Sequence, residues 1–185
     1  MDERFFDLDN IMSRLEVEAE MKEWASIYIA GDTHIHPYIA KFLSDHIKQN
    51  AFKCIVEIGT HHGVLTRFLA INNVDTQFYA VDEINDTVNA NLSDLTNVTL
   101  VSNYEEIGIL DPDLLILNYG LSSPSREAIA HSWSSFVKHA GKQVIITGHE
   151  SEKMEEKIDR WVESTGCLKK LWGKMDCAIY ELMRG

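Results

Sequence analysis

Apolar residues recur at helical spacing at the start of the chain and then in short runs. Between residues 7 and 29, Leu8, Ile11, Met12, Leu15, Met21, Trp24 and Ile27 fall at near-helical intervals, which predicts a helix. "AGDTHIHP" breaks the pattern, and "PYIAKFLSDHIKQN" resumes it with Ile39, Phe42, Leu43 and Ile47 on one face. Pro37 suits the first turn, where its missing N–H is no loss. From Cys54 onward the pattern alternates. "KCIVEI", "QFYAV", "VTLVS", "DLLILN" and "QVIITG" read as buried strands. "GVLTRFLAIN", "NDTVNANLSD", "SREAIAHSWSSFVKHAG" and "SEKMEEKIDRWVESTG" read as the helices between them. Gly141 and Gly166 stop the last two, and Ser151 caps the last. The tail, "CLKKLWGKMDCAIYELM", reads as two strands around a turn at Gly173-Lys174.

Five strands alternating with helices, together with the two of the tail, predict an α/β fold with a seven-stranded, mostly parallel sheet and helices on both faces. The tail adds a C-terminal antiparallel hairpin, and a helical extension precedes the core. Residues 1–185 read as a single domain, with 1–50 forming N-terminal helices (a lid or dimer element) and 51–185 the core. Such sheets bind ligands beyond the carboxyl ends of their strands, near the point where the strand order reverses. Chemistry is therefore expected in five loops: Glu57 to Gly63, Asp82-Glu83, Ser102-Asn103-Tyr104, Asn118-Tyr119 and His149-Glu150.

Composition narrows the partners. Seventeen basic residues face twenty-nine acidic ones, a formal net charge of −12, which argues against a general grip on nucleic acid. No apolar run approaches the ~20 residues a membrane span needs. The acidic start, "MDERFFDLDN", lacks the order of a signal peptide. Cys54, Cys167 and Cys177 lack metal-ligand spacing. The expectation is a cytoplasmic protein with no nucleic-acid or membrane partner. Trp24, Trp133, Trp161 and Trp172 sit in apolar patterns and are expected to pack.

The first strand runs into "CIVEIGTHHGVLTRFLA". Gly59 and Gly63 allow a tight turn and close approach of backbone to a ligand, and the following helix presents free N–H groups. Asp82 closes the second strand, near the ~20-residue spacing at which an acid can accept both hydroxyls of a ribose. Between the glycines stand His61 and His62.

These segments resemble the class I S-adenosylmethionine-dependent methyltransferases over about residues 37–185. "VEIGTHHGVLT" is similar to the family's first motif, "FYAVDEIND" to its second, "VTLVSNYEEI" to its third and "PDLLILNYGLSS" to its fourth. The resemblance implies S-adenosylmethionine as cofactor. Glu57, Gly59, Thr60, His61 and Gly63 would form its loop, and Asn118 would lie beside it. Asn103 would accept from the adenine amino group, with Tyr104 or Ile84 on the ring. His61 replaces a glycine common in the family. The catechol O-methyltransferase-like branch often carries an aromatic residue there, and "EIN" at Glu83 to Asn85 is similar to that branch's second motif. In that register Glu83 rather than Asp82 takes the ribose, and both remain candidates. The branch often holds a metal on acids after the fourth and fifth strands. The fourth lacks them here, so no metal ligand is assigned. "NYGL" also departs from the Asn-Pro-Pro-aromatic signature of amino-group methylation.

The expected reaction is in-line methyl transfer to a small-molecule acceptor, with oxygen as the atom methylated. The protein mainly positions the reactants and removes a proton. His149, His62 and Asn118 are the candidate catalytic residues, with His61 beside them. Either the substrate pocket is open, or the N-terminal helices or the second subunit of a homodimer close it, and His34, His36 or Tyr38 could then meet substrate. Two other readings are carried: a non-catalytic relative acting as a cofactor-binding or interaction module, and a metal-dependent hydrolase on His34 and His36 in "GDTHIHPY". Such hydrolases are normally built on a larger barrel. Asp32, Thr33 or His36 capping the helix at Pro37 explains that segment more simply.

Overall fold

The computed structural model describes residues 35, 37–82, 85–102, 110–118, 141–147, 152–174 and 177–183. The elements are α1 (Pro37–Asn50), β1 (Cys54–Ile58), α2 (Val64–Asn72), β2 (Gln77–Val81), α3 (Asp86–Leu92), β3 (Val98–Val101), β4 (Leu114–Asn118), β5 (Gln143–Thr147), α4 (Glu152–Thr165), β6 (Leu168–Lys174) and β7 (Cys177–Leu182). The expected helix over 7–29, the one over 125–141 up to its final Gly141, and the Ser151 cap lie outside the described residues.

Seven strands form one sheet in the order β3-β2-β1-β4-β5-β7-β6. β1 pairs in parallel with β2 and β4, β2 with β3 and β4 with β5. β7 pairs antiparallel with both β5 and β6. Alternation along each strand serves two cores. Ile55, Leu114, Ile116 and Ile145 pack under Ile39, Leu43 and Ile47 of α1 and Leu65 and Leu69 of α2. Val56, Ile58, Leu115, Leu117 and Ile146 face the other way, toward Ile158 and Val162 of α4. Each fully buried Leu or Ile contributes about 1.5–3 kcal/mol. The helical face expected at Ile39, Phe42, Leu43 and Ile47 is buried. Trp172 packs on Phe42, ring centroids 4.9 Å apart.

The tail differs from expectation. Gly173 and Lys174 do not turn the chain; they belong to β6 and pair with Ala178 and Cys177. The ladder pairs Lys170 with Tyr180 and then Trp172 with Ile179, so Leu171 is an extra residue in the strand. A Cβ on Gly173 would lie 2.8 Å from Lys170 Cε. The glycine leaves room for the lysine stem beside this irregularity, a second reason for glycine inside a strand pattern.

His46 is buried in α1 with both ring nitrogens engaged. Nε2 lies 2.7 Å from Gln143 Oε1 on β5, and Nδ1 lies 3.3 Å from the Asn50 amide nitrogen. An amide oxygen at Nε2 and an amide N–H at Nδ1 suit the neutral ring protonated on Nε2. This histidine ties a helix to the sheet.

α3 is short and depends on its cap. Asn85 has extended backbone, and its side-chain oxygen accepts from the N–H groups of Thr87 and Val88 at 3.0 and 3.1 Å. Removing both bonds in Asn85→Ala is expected to cost about 1 kcal/mol, with Asn85→Asp close to wild type. Denaturant midpoints measured at constant m-value check this. The cap matters to the site because α3 carries Asn91 and Leu92 against the loop after β1.

Candidate functional site

The strand order reverses across β1: β2 leaves on one side and β4 lies on the other. The loop after β1 is wedged at the carboxyl ends of these three strands. Gly59 N–H donates to Val81 O at the end of β2 (3.0 Å). On the other side, a Cβ built on Gly59 would lie 2.7 Å from Asn118 O at the end of β4. Every second residue of the loop is left-handed: φ is 81° at Gly59, 55° at His61 and 76° at Gly63. Alternating handedness curls a backbone into a concavity that gathers N–H groups. Glycine occupies two of the three positions freely; a residue with a Cβ at the third costs roughly 1–2 kcal/mol.

The loop is tied down from outside. His61 N–H donates to Asp82 Oδ2 (2.7 Å), and the Asn91 amide of α3 donates to His62 O (2.6 Å). The two imidazoles stack, centroids 3.9 Å apart and planes 19° apart. Gly63 begins α2, so the cap position supplies no side-chain acceptor to the first-turn N–H groups of α2. Such an end favours a negatively charged group.

A buried carboxyl lies beneath the loop. Glu57 is 1% exposed. Thr66 Oγ1 donates to its Oε2 (2.5 Å), and the Thr60 and Thr66 hydroxyls meet at 3.0 Å. Oε1 is buried without a hydrogen-bond partner among the described residues. Burial pushes Glu57 up to about 7; Thr66 and Asn118 pull it down, and the Asp82 charge raises it.

The sequence matches no family model and no curated protein. Solved structures do match. A protein assigned as a caffeoyl-CoA O-methyltransferase from Staphylococcus aureus aligns over 96% of this chain and 99% of its own, with TM-score 0.70 and 14% identity. One assigned as an O-methyltransferase from Klebsiella pneumoniae aligns over 97% and 96%, with TM-score 0.64 and 15% identity. The O-methyltransferase TomG from Streptomyces achromogenes, solved with S-adenosylmethionine, aligns over 99% and 98%, with TM-score 0.63 and 12% identity. The chain has the methyltransferase fold.

Within this methyltransferase fold, Glu57, Gly59, Thr60, His61, His62, Gly63, Asp82 and Asn118 converge at the ends of β1, β2 and β4. Glu57 does not line the loop's surface; it lies under it. Asp82 contacts the loop itself. Glu83, Asn103, Tyr104 and His149 lie outside the described residues, as do His34 and His36. Three residues join the site that the sequence reading did not single out: Thr66, Asn91 and Leu92. Thr66 lies in the first turn of α2, at the end of the "VEIGTHHGVLT" motif, where a hydroxyl facing back toward the preceding strand is a usable signal. Leu92 bounds the loop from α3, for a Cβ on Gly63 would lie 2.9 Å from its Cγ and Cδ1. Neither it nor Asn91 has a signal in the sequence, because their contacts depend on how α3 packs. Among the described residues no helix is long and apolar enough to cross a membrane.

Proposed function

We propose that this protein is an S-adenosylmethionine-dependent methyltransferase acting on a small-molecule acceptor, with oxygen as the atom methylated. One observation carries the reading: a loop with left-handed backbone at residues 59, 61 and 63, held at the strand-order reversal of a methyltransferase-fold sheet. The O-methyltransferases among its structural neighbours support it, and one of them was solved with this cofactor.

The residues present fit the cofactor. The uncapped start of α2, just beyond the loop, offers N–H groups to the carboxylate of its methionine part. Glu57 sets a carboxyl under the same loop, suited to the positive charge the cofactor carries. When bound, the cofactor supplies an activated methyl group and its own leaving group for in-line displacement. The chain's part is to hold both reactants and take a proton. Glu83 is the candidate for the ribose hydroxyls, and Asn103 and Tyr104 for the adenine. His62, with its backbone fixed by Asn91, and His149 are the candidate bases. Asn118, whose main chain lies against Gly59, is the candidate to orient either reactant.

Titration calorimetry tests the reading. S-adenosylmethionine and S-adenosylhomocysteine are expected to bind with dissociation constants on the order of 1–100 μM, within the usual enzyme range. No heat of binding up to millimolar ligand would overturn it. The acceptor atom is read by offering hydroxyl, amine and thiol compounds with a methyl-labelled donor. Label recovered only on nitrogen or sulfur would overturn the oxygen assignment.

A further inference from the structure

We propose that Asp82 is a positioning residue: it clamps His61 in the left-handed conformation that a glycine would otherwise supply, and so keeps the loop between Gly59 and Gly63 ready for a ligand. The inference rests on the cofactor reading above but makes a separate claim, that this acid serves the loop and does not grip the ribose.

His61 is the one residue of the loop's three left-handed positions that carries a Cβ. Left-handed backbone is disfavoured for such a residue, so something must over-determine it. The observed restraint is the charge-assisted bond from His61 N–H to Asp82 Oδ2, at 2.7 Å, between residues 21 apart in sequence. Geometry explains why Asp82 reaches it. Phe78 and Ala80 on β2 face α1, α2 and α3. Alternation carries position 82, just past the strand, to that same side, where the loop enters α2. Two further ties make the clamp effective. The Asn91 amide fixes the next carbonyl at 2.6 Å, and the stacked rings of His61 and His62 set the side chains once the backbone is fixed. A chain with histidine where related loops have glycine would thus keep the loop shape by a contact from β2.

A mutant cycle read by cofactor binding distinguishes the clamp from a ribose contact. Asp82→Ala is expected to weaken S-adenosylmethionine binding about tenfold, the worth of one hydrogen bond to a charged group. His61→Gly in the same chain should restore most of that loss, because glycine adopts the left-handed region unaided. Asp82→Asn, which keeps an acceptor, should stay within about threefold of wild type. If Asp82 held the ribose, His61→Gly would rescue nothing, and that result overturns the proposal. So does an Asp82→Ala variant that binds like wild type. A second readout needs no cofactor. Amide hydrogen exchange at residues 60–63 should speed up about tenfold in Asp82→Ala, and unchanged exchange overturns the proposal even if the protein binds no S-adenosylmethionine. Absence of binding by the wild type would sink the cofactor reading alone.

Discussion

Gly59→Ala is expected to be the most damaging single-methyl change in the site. The new Cβ would lie 2.7 Å from the Asn118 carbonyl oxygen, and φ at this position is +81°. Left-handed backbone costs an alanine roughly 1–2 kcal/mol. The overlap is with main chain of β4, whose pairing with β1 and β5 prevents a local retreat, and overpacking of this kind adds roughly 1–3 kcal/mol. A total of about 3 kcal/mol, seen as a lower denaturant midpoint at unchanged m-value, is the expected result. Cofactor binding should fall more than tenfold even at temperatures where the variant is folded. Gly63→Ala is the control. Its φ of +76° carries a similar backbone cost, but the obstructing atoms belong to the Leu92 side chain. Adding Leu92→Ala to Gly63→Ala should therefore relieve the overlap, while no side-chain change should relieve Gly59→Ala. Equal tolerance of alanine at both glycines would contradict this account of the loop.

The contrast between these glycines shows what a sequence can reveal of such a site. Period-two and period-3.6 patterns fix strands and helices because burial enforces them. β1, β2, β4 and β5 accordingly run as their apolar runs predict, and so do α1, α2 and α4. The glycine loop is legible because positive φ leaves few alternatives to glycine. His61 is the place where that logic fails. From sequence it reads as a lost glycine; in the fold the left-handed backbone persists, restrained by a residue from β2. Asp82 and, in a register shifted by one, Glu83 both read as candidates for the ribose. One residue of register reverses a side chain's direction, and composition does not record direction. The Gly173-Lys174 turn was misplaced because glycine marks both turns and irregular strands, and only the pairing with Ala178 and Cys177 separates them. Asn91 and Leu92 were invisible because their contacts arise where two helices meet.

Stability is expected to fall as pH rises from about 4.5 to about 7, and Glu57 is the expected cause. Its carboxyl is buried, and its folded pKa stands at about 7 against an ordinary value of 4.5. Between those values the folded state binds a proton that the unfolded chain releases, so unfolding becomes easier with increasing pH. The contribution is complete below 4.5 and lost above about 7, and the difference amounts to roughly 3 kcal/mol. Asp113 titrates in the opposite sense. Burial works to raise it, but Lys142 and the N–H groups of Lys53 and Cys54 outweigh burial and hold it below 3.8. Its contribution is lost only as pH falls through that lower range, so the two windows do not overlap. Glu57→Gln should remove the slope between 4.5 and 7 and leave the variant more stable than wild type at pH 8, with denaturant midpoints across pH as the measurement. A wild-type slope that survives the substitution would assign it to another group. Under the proposed function the same carboxyl makes a second, opposite dependence. A positively charged ligand above the loop favours the ionised acid, so its binding should release a proton and tighten as pH rises toward 7. The apo protein is then most stable where it binds the cofactor least. Glu57→Gln should flatten both curves together, which a purely structural carboxyl would not do.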